Sequence, residues 1–256
     1  VQPPARLEEL AAFSERLPAG KKIAVALCPT DCWCVFLSIC AQLAEKEAFS
    51  EMGLDPKAGA LALELMSSWK SFLHPASYDL NAIQLLDRIS AGEEIVYTPM
   101  VFGYTNYARK GFRDRLVRFG NAPVLADARY STILGGAGIA VPTLSTRIPE
   151  AIDFLTYLLD PIQYGSMYVK HGGQSAHVSD WQTEQANLLC NAFFFNTMDT
   201  MQRAYLRPRI PGFNRFQEEA AEIVHAFLVQ GGNSVDILNK LNQIYHEYCV
   251  AEVDMP

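Results

Sequence analysis

The sequence predicts an α/β fold with a helical cap, and three observations carry this prediction. Short apolar strands alternate with helical segments in the first half of the chain, the C-terminal part is almost wholly helical, and a glycine-bearing apolar segment lies between them. Alternation of this kind is typical of a sheet layer covered by helices. With 256 residues, half of them apolar, the chain can form one large domain or two lobes with a real core.

The first half of the chain contains the clearest alternation. Residues 22–27 have the pattern of a short strand, and Thr30 or Asp31 is a suitable cap for the helix that follows. The predicted helices of this half are 7–17, 31–44, 58–73 and 81–90, and the predicted strands are 22–27, 95–99 and 116–119, with a loop over 102–111.

A glycine-bearing segment, 133–141, is predicted to be a strand. Three glycines within one apolar strand weaken it, so they usually mark a place where backbone comes close to a ligand or a neighbouring segment. Gly172 and Gly173 form a second glycine pair farther along the chain. The helices predicted beyond the strand are 149–159, 161–170, 181–204, 213–229 and 235–248.

Charge and hydropathy exclude several function classes. The net charge is −7 and no continuous run of lysines or arginines occurs, which argues against nucleic acid and against an anionic membrane surface. No apolar run approaches the roughly 20 residues that span a bilayer, and the first ten residues lack the pattern of an export signal. We therefore expect a soluble chain with a small molecule or another protein as partner, and a natural start upstream.

The six cysteines do not have the spacing of a metal site. Zinc sites use paired C-x-x-C units, and none occurs here. Cys34 and Cys40 lie among large apolar residues, where free thiols behave as small core side chains. We favour that core role over a disulfide or a metal site.

No enzyme motif is complete. Residues 173–177 resemble half of a nucleophile elbow but lack the closing glycine, and His246-Glu247 lacks the second histidine of a zincin. The remaining catalytic candidates are His171, His177 and Asp180, which could form an acid–base group on one loop. Histidines near turns are more often simple hydrogen-bond partners.

A binding site is better supported by the loops. Aromatic faces stack on the apolar face of a sugar ring, and directional polar groups bind its hydroxyls, which is the mixture that ligand pockets need. The candidate ligand-binding residues are Asp31, Trp33, Tyr104, Asn106, Gly135, Gly136, Gly173, Gln174 and Arg207.

Several of these candidates have a structural alternative. Asp31 can equally cap its helix, and one carboxylate can do both. Trp33 can equally belong to the core. Arg207 can form a surface ion pair of little value, or it can direct its fork of donors at hydroxyls or a carboxylate.

The order of these motifs resembles a known family. The segments are Pro29-Thr-Asp-Cys-Trp33, Phe102-Gly-Tyr-Thr-Asn-Tyr107, Gly135-Gly-Ala-Gly-Ile-Ala-Val141, Pro149-Glu-Ala-Ile-Asp-Phe-Leu155, Tyr168-Val-Lys-His-Gly-Gly-Gln174, Tyr205-Leu-Arg-Pro-Arg-Ile-Pro-Gly-Phe213 and Ile244-Tyr245. Together they are similar to the extracellular solute-binding proteins of bacterial ABC importers, in the sugar-binding group (periplasmic binding protein type II, family 1). The resemblance covers nearly the whole chain.

The resemblance implies a two-lobed α/β fold in which a solute binds in a cleft and the lobes close on a hinge. It implies that 1–125 and 191–256 form a largely complete C-terminal-type lobe with a helical cap, and that 126–190 form part of an N-terminal-type lobe. Hinge crossings would lie near 126–133 and 190. Members of the family carry a further N-terminal stretch, which we expect upstream of this sequence.

The same resemblance implies function. We expect a monomeric receptor, without cofactor, metal or catalysis, that binds a sugar or polyol and delivers it to an ABC permease. The native protein would be periplasmic, or extracellular and membrane-anchored. Two alternatives stay open: a hydrolase or transferase that uses His171, His177 and Asp180, and an interaction protein that has kept the fold without a pocket.

Overall fold

The computed structural model describes residues 2–160 and 167–250 and divides the chain into two compact units. The first unit comprises Val1–Phe102, Ala122–Leu134 and Thr200–Pro256, and the second comprises Gly103–Asn121 and Gly135–Asp199. No helix within the described ranges is both long and apolar enough to cross a membrane.

Helices form most of the regular structure. Their bounds in chain order are α1 Leu10–Glu15, α2 Pro29–Leu43, α3 Pro56–Ser68, α4 Ala82–Ala91, α5 Ile148–Leu158, α6 Val178–Trp181, α7 Glu184–Leu189, α8 Phe193–Gln202, α9 Phe213–Gln230 and α10 Ser234–Tyr245. Short 3₁₀ turns cover Leu7–Glu9, Trp69–Ser71, Pro75–Tyr78 and Thr105–Ala108, and a π-helical turn covers His246–Val250.

Local capping explains where the helices of the first unit begin and end. Asn81 accepts a hydrogen bond from the backbone of Gln84, whose side chain bonds back to Asn81, so the two residues form a capping box for α4. Gly92 ends the same helix with φ of 78°, a left-handed conformation that glycine adopts without strain. Pro29 and Pro56 occupy the first positions of α2 and α3, where a missing backbone donor costs nothing.

The strands in the described part of the chain are short, and all of them lie in the first unit. Strand β1 (Lys22–Ile23) pairs in parallel with β4 (Ile95–Tyr97), and the antiparallel pair is β2 (Phe49–Ser50) with β3 (Gly53–Leu54). The connection from β1 to β4 runs through α2, α3 and α4, as a parallel crossover requires.

The core of the first unit is large and continuous. Helix α2 buries eleven residues from Cys32 to Gln42, and it packs against α3 and α9. Aromatic rings fill the space between the helices: Phe216 contacts Trp33 edge to face at 5.5 Å and Phe49 at 5.9 Å. Apolar burial of this kind is the main source of stability in the unit.

The second unit has a smaller core. Its buried cluster consists of Ala108, Val169, Trp181, Ala186, Cys190, Phe193 and Phe194. Asn187 organises the cluster, because its amide donates to the carbonyl of Trp181 at 2.8 Å and its carbonyl accepts from the backbone of Phe195 at 2.9 Å. Helix α5 lies outside the cluster and has no buried residue.

Several predicted elements are wrong or shorter than expected. The predicted helix over 181–204 is divided among the end of α6, α7 and α8. Helices α7 and α8 are separate because Asn191 and Ala192 have φ of 50° and 58°, which a continuing helix cannot contain. Residues 116–119 form no strand. Of the predicted helix 161–170, residues 167–170 are helical, and 161–166 lie outside the described residues.

The composition of the units differs from the predicted lobe ranges. Residues 103–121 group with the second unit, because Thr105 donates to the carbonyl of Gly172 at 3.0 Å and Arg109 donates to that of Val169. The chain returns to the first unit after residues 121 and 199, and it leaves after 102 and 134. Assignment of the units to the two lobes stays a prediction.

Candidate functional site

In the first unit, Asp31 joins the starts of two helices. It lies in the first turn of α2, and its Oδ2 accepts hydrogen bonds from the backbone nitrogen of Ala82 at 3.2 Å and from Sγ of Cys28 at 3.3 Å. Ala82 is the first residue of α4, so the carboxylate satisfies a donor that this helix end leaves open. Asp31 therefore has a structural role beside any contact with a ligand.

Trp33 is a core residue of the first unit. Only 2% of its surface is exposed, and its ring packs against Phe36 and Phe216. Its ring face is therefore not presented at the surface of the unit for stacking. Its Nε1 is buried and has no hydrogen-bond acceptor among residues 2–160 and 167–250.

Arg207 lies beside helices α2 and α9. Its Nη1 donates to Oε1 of Gln217 at 3.0 Å, and Nε2 of Gln217 donates to Oδ1 of Asn214 at 3.2 Å. Burial raises the pKa of the Cys34 thiol to about 12; the positive charge of Arg207 opposes this rise, whereas the charge of Asp31 adds to it. Arg207 and Asp31 therefore lie near the same thiol.

Four further cysteines show no sign of a reactive thiol. Burial raises the pKa of Cys28, Cys32, Cys40 and Cys190, which keeps these thiols protonated. Within the described ranges no three histidine, cysteine or acidic side chains are placed to hold a metal ion.

In the second unit, Tyr104 and Asn106 belong to one tight turn. Tyr104 precedes the 3₁₀ turn Thr105–Ala108, and its carbonyl accepts from the backbone of Tyr107 at 3.1 Å. Its side chain is 37% exposed, which leaves an aromatic surface open to solvent. Thr105 is buried and fixes the turn through its hydrogen bond to Gly172.

The second glycine pair lies against this turn. Gly172 has φ of 99°, and a Cβ there would lie 2.9 Å from Oδ1 of Asn106. A Cβ on Gly173 would lie 2.3 Å from the ring of Tyr168, so only glycine fits. Gln174, the next residue, is exposed. The structure thus places Asn106 next to the glycine pair. The amide of Asn106 and the backbone of the glycines form a small polar surface.

The glycine-bearing segment, 133–141, does not have the structure that the sequence predicts. The predicted strand over 133–141 is wrong: Ile133 forms one isolated bridge with Tyr205, and the following residues form no ladder. A strand needs a paired neighbour for its backbone, and residues 135–141 have none among the residues that the structure describes. A Cβ on Gly136 would meet no atom within 4 Å, and Gly136 is exposed. Ligand contact by Gly135 and Gly136 stays a prediction.

The alternative catalytic residues form the contacts of a helix start. Ser175 donates to Oδ2 of Asp180, and the backbone of His177 donates to Oγ of Ser175 at 3.0 Å. Nε2 of His177 pairs with the carbonyl of Leu159 at 2.9 Å, and His171 is exposed in the preceding turn. These contacts stabilise the first turn of α6 and give no sign of an arranged acid–base group.

Sequence reasoning missed the residues that support the candidates. Thr105 and Tyr168 shape the turn and the glycine pair, and Gln217 orients Arg207. The position of Thr105 within the segment Tyr104-Thr-Asn106 was visible in the sequence. The positions of Tyr168 and Gln217 depend on tertiary packing, and no local pattern reveals them.

Comparison with known proteins identifies the fold. No family model and no curated protein matches the sequence. Solved structures do match: maltose-bound MalE3 from Thermotoga maritima aligns with a TM-score of 0.75 and 16% identity, over 94% of this chain and 65% of that chain. An ABC transporter solute-binding protein from Thermotoga lettingae, bound with α-D-tagatose, aligns with a TM-score of 0.73 and 14% identity, over 95% of this chain and 65% of that chain.

A third match is UgpB from Mycobacterium tuberculosis in complex with glycerophosphocholine, with a TM-score of 0.69 and 14% identity over 96% of this chain and 65% of that chain. The chain thus spans about 65% of the length of these proteins. These matches confirm the predicted fold class, that of the two-lobed α/β solute-binding proteins of type II, and the matched proteins are binding proteins.

Proposed function

We propose that this chain is the solute receptor of an ABC importer and that it binds a sugar or polyol. The observation that carries the proposal is the shared fold, which extends over 94% of this chain in the match to a maltose-bound protein and 95% in the match to a tagatose-bound one. Because function resides in sites and many functions can share a fold, the candidate residues must support the proposal separately.

The turn of the second unit supplies groups that suit a carbohydrate. Tyr104 offers an exposed aromatic ring, and Asn106 offers an amide next to Gly173 and Gln174. Aromatic rings contact the apolar face of a sugar, and amide and backbone groups bond its hydroxyls. We propose that these four residues contact the solute, with Gly135 and Gly136 as further backbone contacts.

The first unit supplies charged groups on a rigid support. Asp31, in the first turn of α2, accepts from the start of α4, and Arg207 donates to Gln217 of α9. Trp33 packs in the core against Phe216. A binding group held by packed helices loses little conformational entropy when a solute arrives. We propose that Asp31 and Arg207 contact the solute and that Trp33 contributes to the same region.

Partner and location follow from the same proposal. The receptor would deliver its solute to the permease of the importer, act as a monomer and need no cofactor. It would be periplasmic, or extracellular and anchored to the membrane. It would bind without catalysis: Asp180 and the backbone of His177 bond to Ser175 at the start of α6, and Nε2 of His177 pairs with the carbonyl of Leu159.

Isothermal titration calorimetry against maltose, glucose, ribitol and other neutral sugars and polyols tests the proposal. We expect saturable heat with at least one solute, and a loss of about tenfold or more in affinity for Tyr104→Ala and for Arg207→Ala. Tyr157→Ala is the matched control, because Tyr157 is 56% exposed in the same unit as Tyr104 and is not a candidate. Absence of heat with every solute would contradict the proposal.

A further inference from the structure

The charge of Arg207 has no counter-charge within the parts of the chain that the structure describes. Ion pairs there involve other basic residues, such as Arg129 with Glu47 at 3.7 Å. The side chain of Arg207 donates instead to the neutral side chain of Gln217. A half-buried guanidinium that has only a neutral partner keeps a strong preference for an anion.

The orientation of this guanidinium is fixed. Gln217 donates through Nε2 to Asn214, so its Oε1 is turned toward Nη1 of Arg207. A guanidinium has five N–H donors in a planar fork, and this hydrogen bond uses one of them. The other donors of the fork have no acceptor among residues 2–160 and 167–250, and they can bind two oxygens of one carboxylate or phosphate.

The nearest acidic candidate does not neutralise Arg207. Asp31 lies close enough for both charges to act on Cys34, yet its Oδ2 accepts from the start of α4 and from Cys28. The negative charge of Asp31 thus offsets the partial positive charge at the start of α4 rather than the charge of the guanidinium. Its remaining oxygen can accept a hydrogen bond from a hydroxyl.

A second donor without an acceptor lies in the same region. Nε1 of Trp33 is buried and has no acceptor among the described residues, although only 2% of the residue is exposed. Trp33 precedes Cys34, whose thiol feels the charge of Arg207, and its ring contacts Phe216, which precedes Gln217. Buried donors are almost always paired, so this one is a further sign that an acceptor belongs here.

From these donors we infer that the solute carries an anionic oxygen group, a carboxylate or a phosphate, and that Arg207 binds it. The inference rests on the proposed receptor function and specifies its solute as a sugar acid or a sugar phosphate. Arg207 would bind the anionic group bidentately, while Asp31 would accept from a hydroxyl of the same solute.

Calorimetry of the full-length protein with three matched solutes tests this inference. Glucose is the neutral reference, glucuronate carries a carboxylate, and glucose 6-phosphate carries a phosphate. We expect one of the anionic solutes to bind at least about tenfold more tightly than glucose, because hydrogen bonds to charged groups are each worth about that factor or more. Raising the salt from 20 to 500 mM should weaken the anionic solute more than glucose.

Substitutions at Arg207 test whether the preference for an anionic solute depends on the charge of the guanidinium or on its planar shape. Arg207→Met keeps most of the side-chain volume without charge, and we expect it to weaken binding of the anionic solute at least about tenfold more than binding of glucose, so that the preference for the anion is lost. Arg207→Lys keeps the charge without the fork and should retain part of the preference. Gln217→Met removes the hydrogen bond that orients the guanidinium, and it should cause an intermediate loss of the preference for the anionic solute. This variant replaces Arg207→Met as the test if Arg207→Met does not fold.

The possible results of these titrations distinguish a failure of the inference from a failure of the proposed receptor function. If neutral solutes from the calorimetric panel bind while both anionic solutes bind no more tightly than glucose, the inference is wrong and the receptor function stands. If no solute of either class binds, the receptor function itself is wrong. If the preference for an anion persists in Arg207→Met, another residue binds the anionic group, and the assignment of Arg207 is wrong.

Discussion

The two compact units of the chain hold their candidate residues by different means. In the first unit, helices α2, α3 and α9 enclose a continuous core; Asp31 lies on α2, and Arg207, in the segment before α9, is hydrogen-bonded to Gln217 of α9. In the second unit the buried cluster is small, and Asn106 and Gly173 are positioned by tight turns and by single hydrogen bonds. The first set is therefore held by apolar burial, and the second by backbone geometry.

Helix α5 shows the contrast most clearly. It is apolar in sequence but has no buried residue, and Ile152, Phe154 and Tyr157 are each more than half exposed. In the first unit, α2 has a similar length and buries eleven of its residues. Removal of a large side chain should therefore have very different effects in the two units.

The largest expected effect is that of Phe216→Ala in the first unit. Phe216 is fully buried and its ring contacts those of Trp33, Phe49 and Tyr245, so we expect a loss of about 3–5 kcal/mol in the free energy of unfolding. Urea denaturation followed by circular dichroism measures it. Phe154→Ala, at a residue that is 59% exposed, is the matched control and should change stability by less than about 0.5 kcal/mol. Equal losses in the two variants would remove the contrast between the units.

The sequence predicted the helices of the first unit well because their signals are local. Asn81 as cap, Gly92 as end and Pro56 as first residue all act within one turn of the helix that they delimit. The same reasoning failed in the second unit, where Asn191 and Ala192 interrupt a strongly apolar segment. Phe193 and Phe194, which follow these two residues directly, belong to the buried cluster, and that burial depends on tertiary packing.

The candidate site was predicted in part for the same reason. Asn106 and Gly173 were identified from a turn-like composition, and the structure brings them to one place through Gly172 and Thr105. Trp33 looked suited to stacking, but its burial depends on Phe216, far away in the sequence. Local composition can identify candidate polar groups, whereas burial depends on long-range contacts.

An intermediate effect is expected at alkaline pH and concerns the first unit. Burial raises the pKa of Tyr205 from its ordinary value of 10 to about 12, and burial also raises the pKa of Tyr97. The folded state therefore favours the neutral phenol, and this contribution is present below pH 10 and is lost as the pH rises toward 12. We expect Tyr205 to account for a loss of about 2–3 kcal/mol by pH 12.

Urea denaturation at pH 8, 10 and 11.5 measures this loss. Tyr205→Phe cannot ionise at that position, so its stability should fall less steeply over the same range. An identical pH profile for wild type and variant would show that Tyr205 ionises freely in the folded protein.

The smallest effect is expected at the glycine pair of the second unit. Gly173→Ala places a methyl group 2.3 Å from the ring of Tyr168, and overpacking of this kind costs about 1–3 kcal/mol. Gly136→Ala is the matched substitution in open space, and it should be neutral or stabilise by up to about 1 kcal/mol because it restricts the unfolded chain. Thermal unfolding of both variants gives the comparison, and a melting temperature for Gly173→Ala equal to that of the wild type would mean that Tyr168 moves aside at no cost.

The central claim is that this chain binds a sugar or polyol through its candidate residues, and nuclear magnetic resonance tests it most directly. The solute that gives the largest heat in calorimetry is titrated into ¹⁵N-labelled protein while the backbone amide signals are followed. We predict saturable shifts among residues 104–106 and 172–174 and at Asp31 and Arg207. Saturable shifts that leave all of these residues unchanged would contradict the claim.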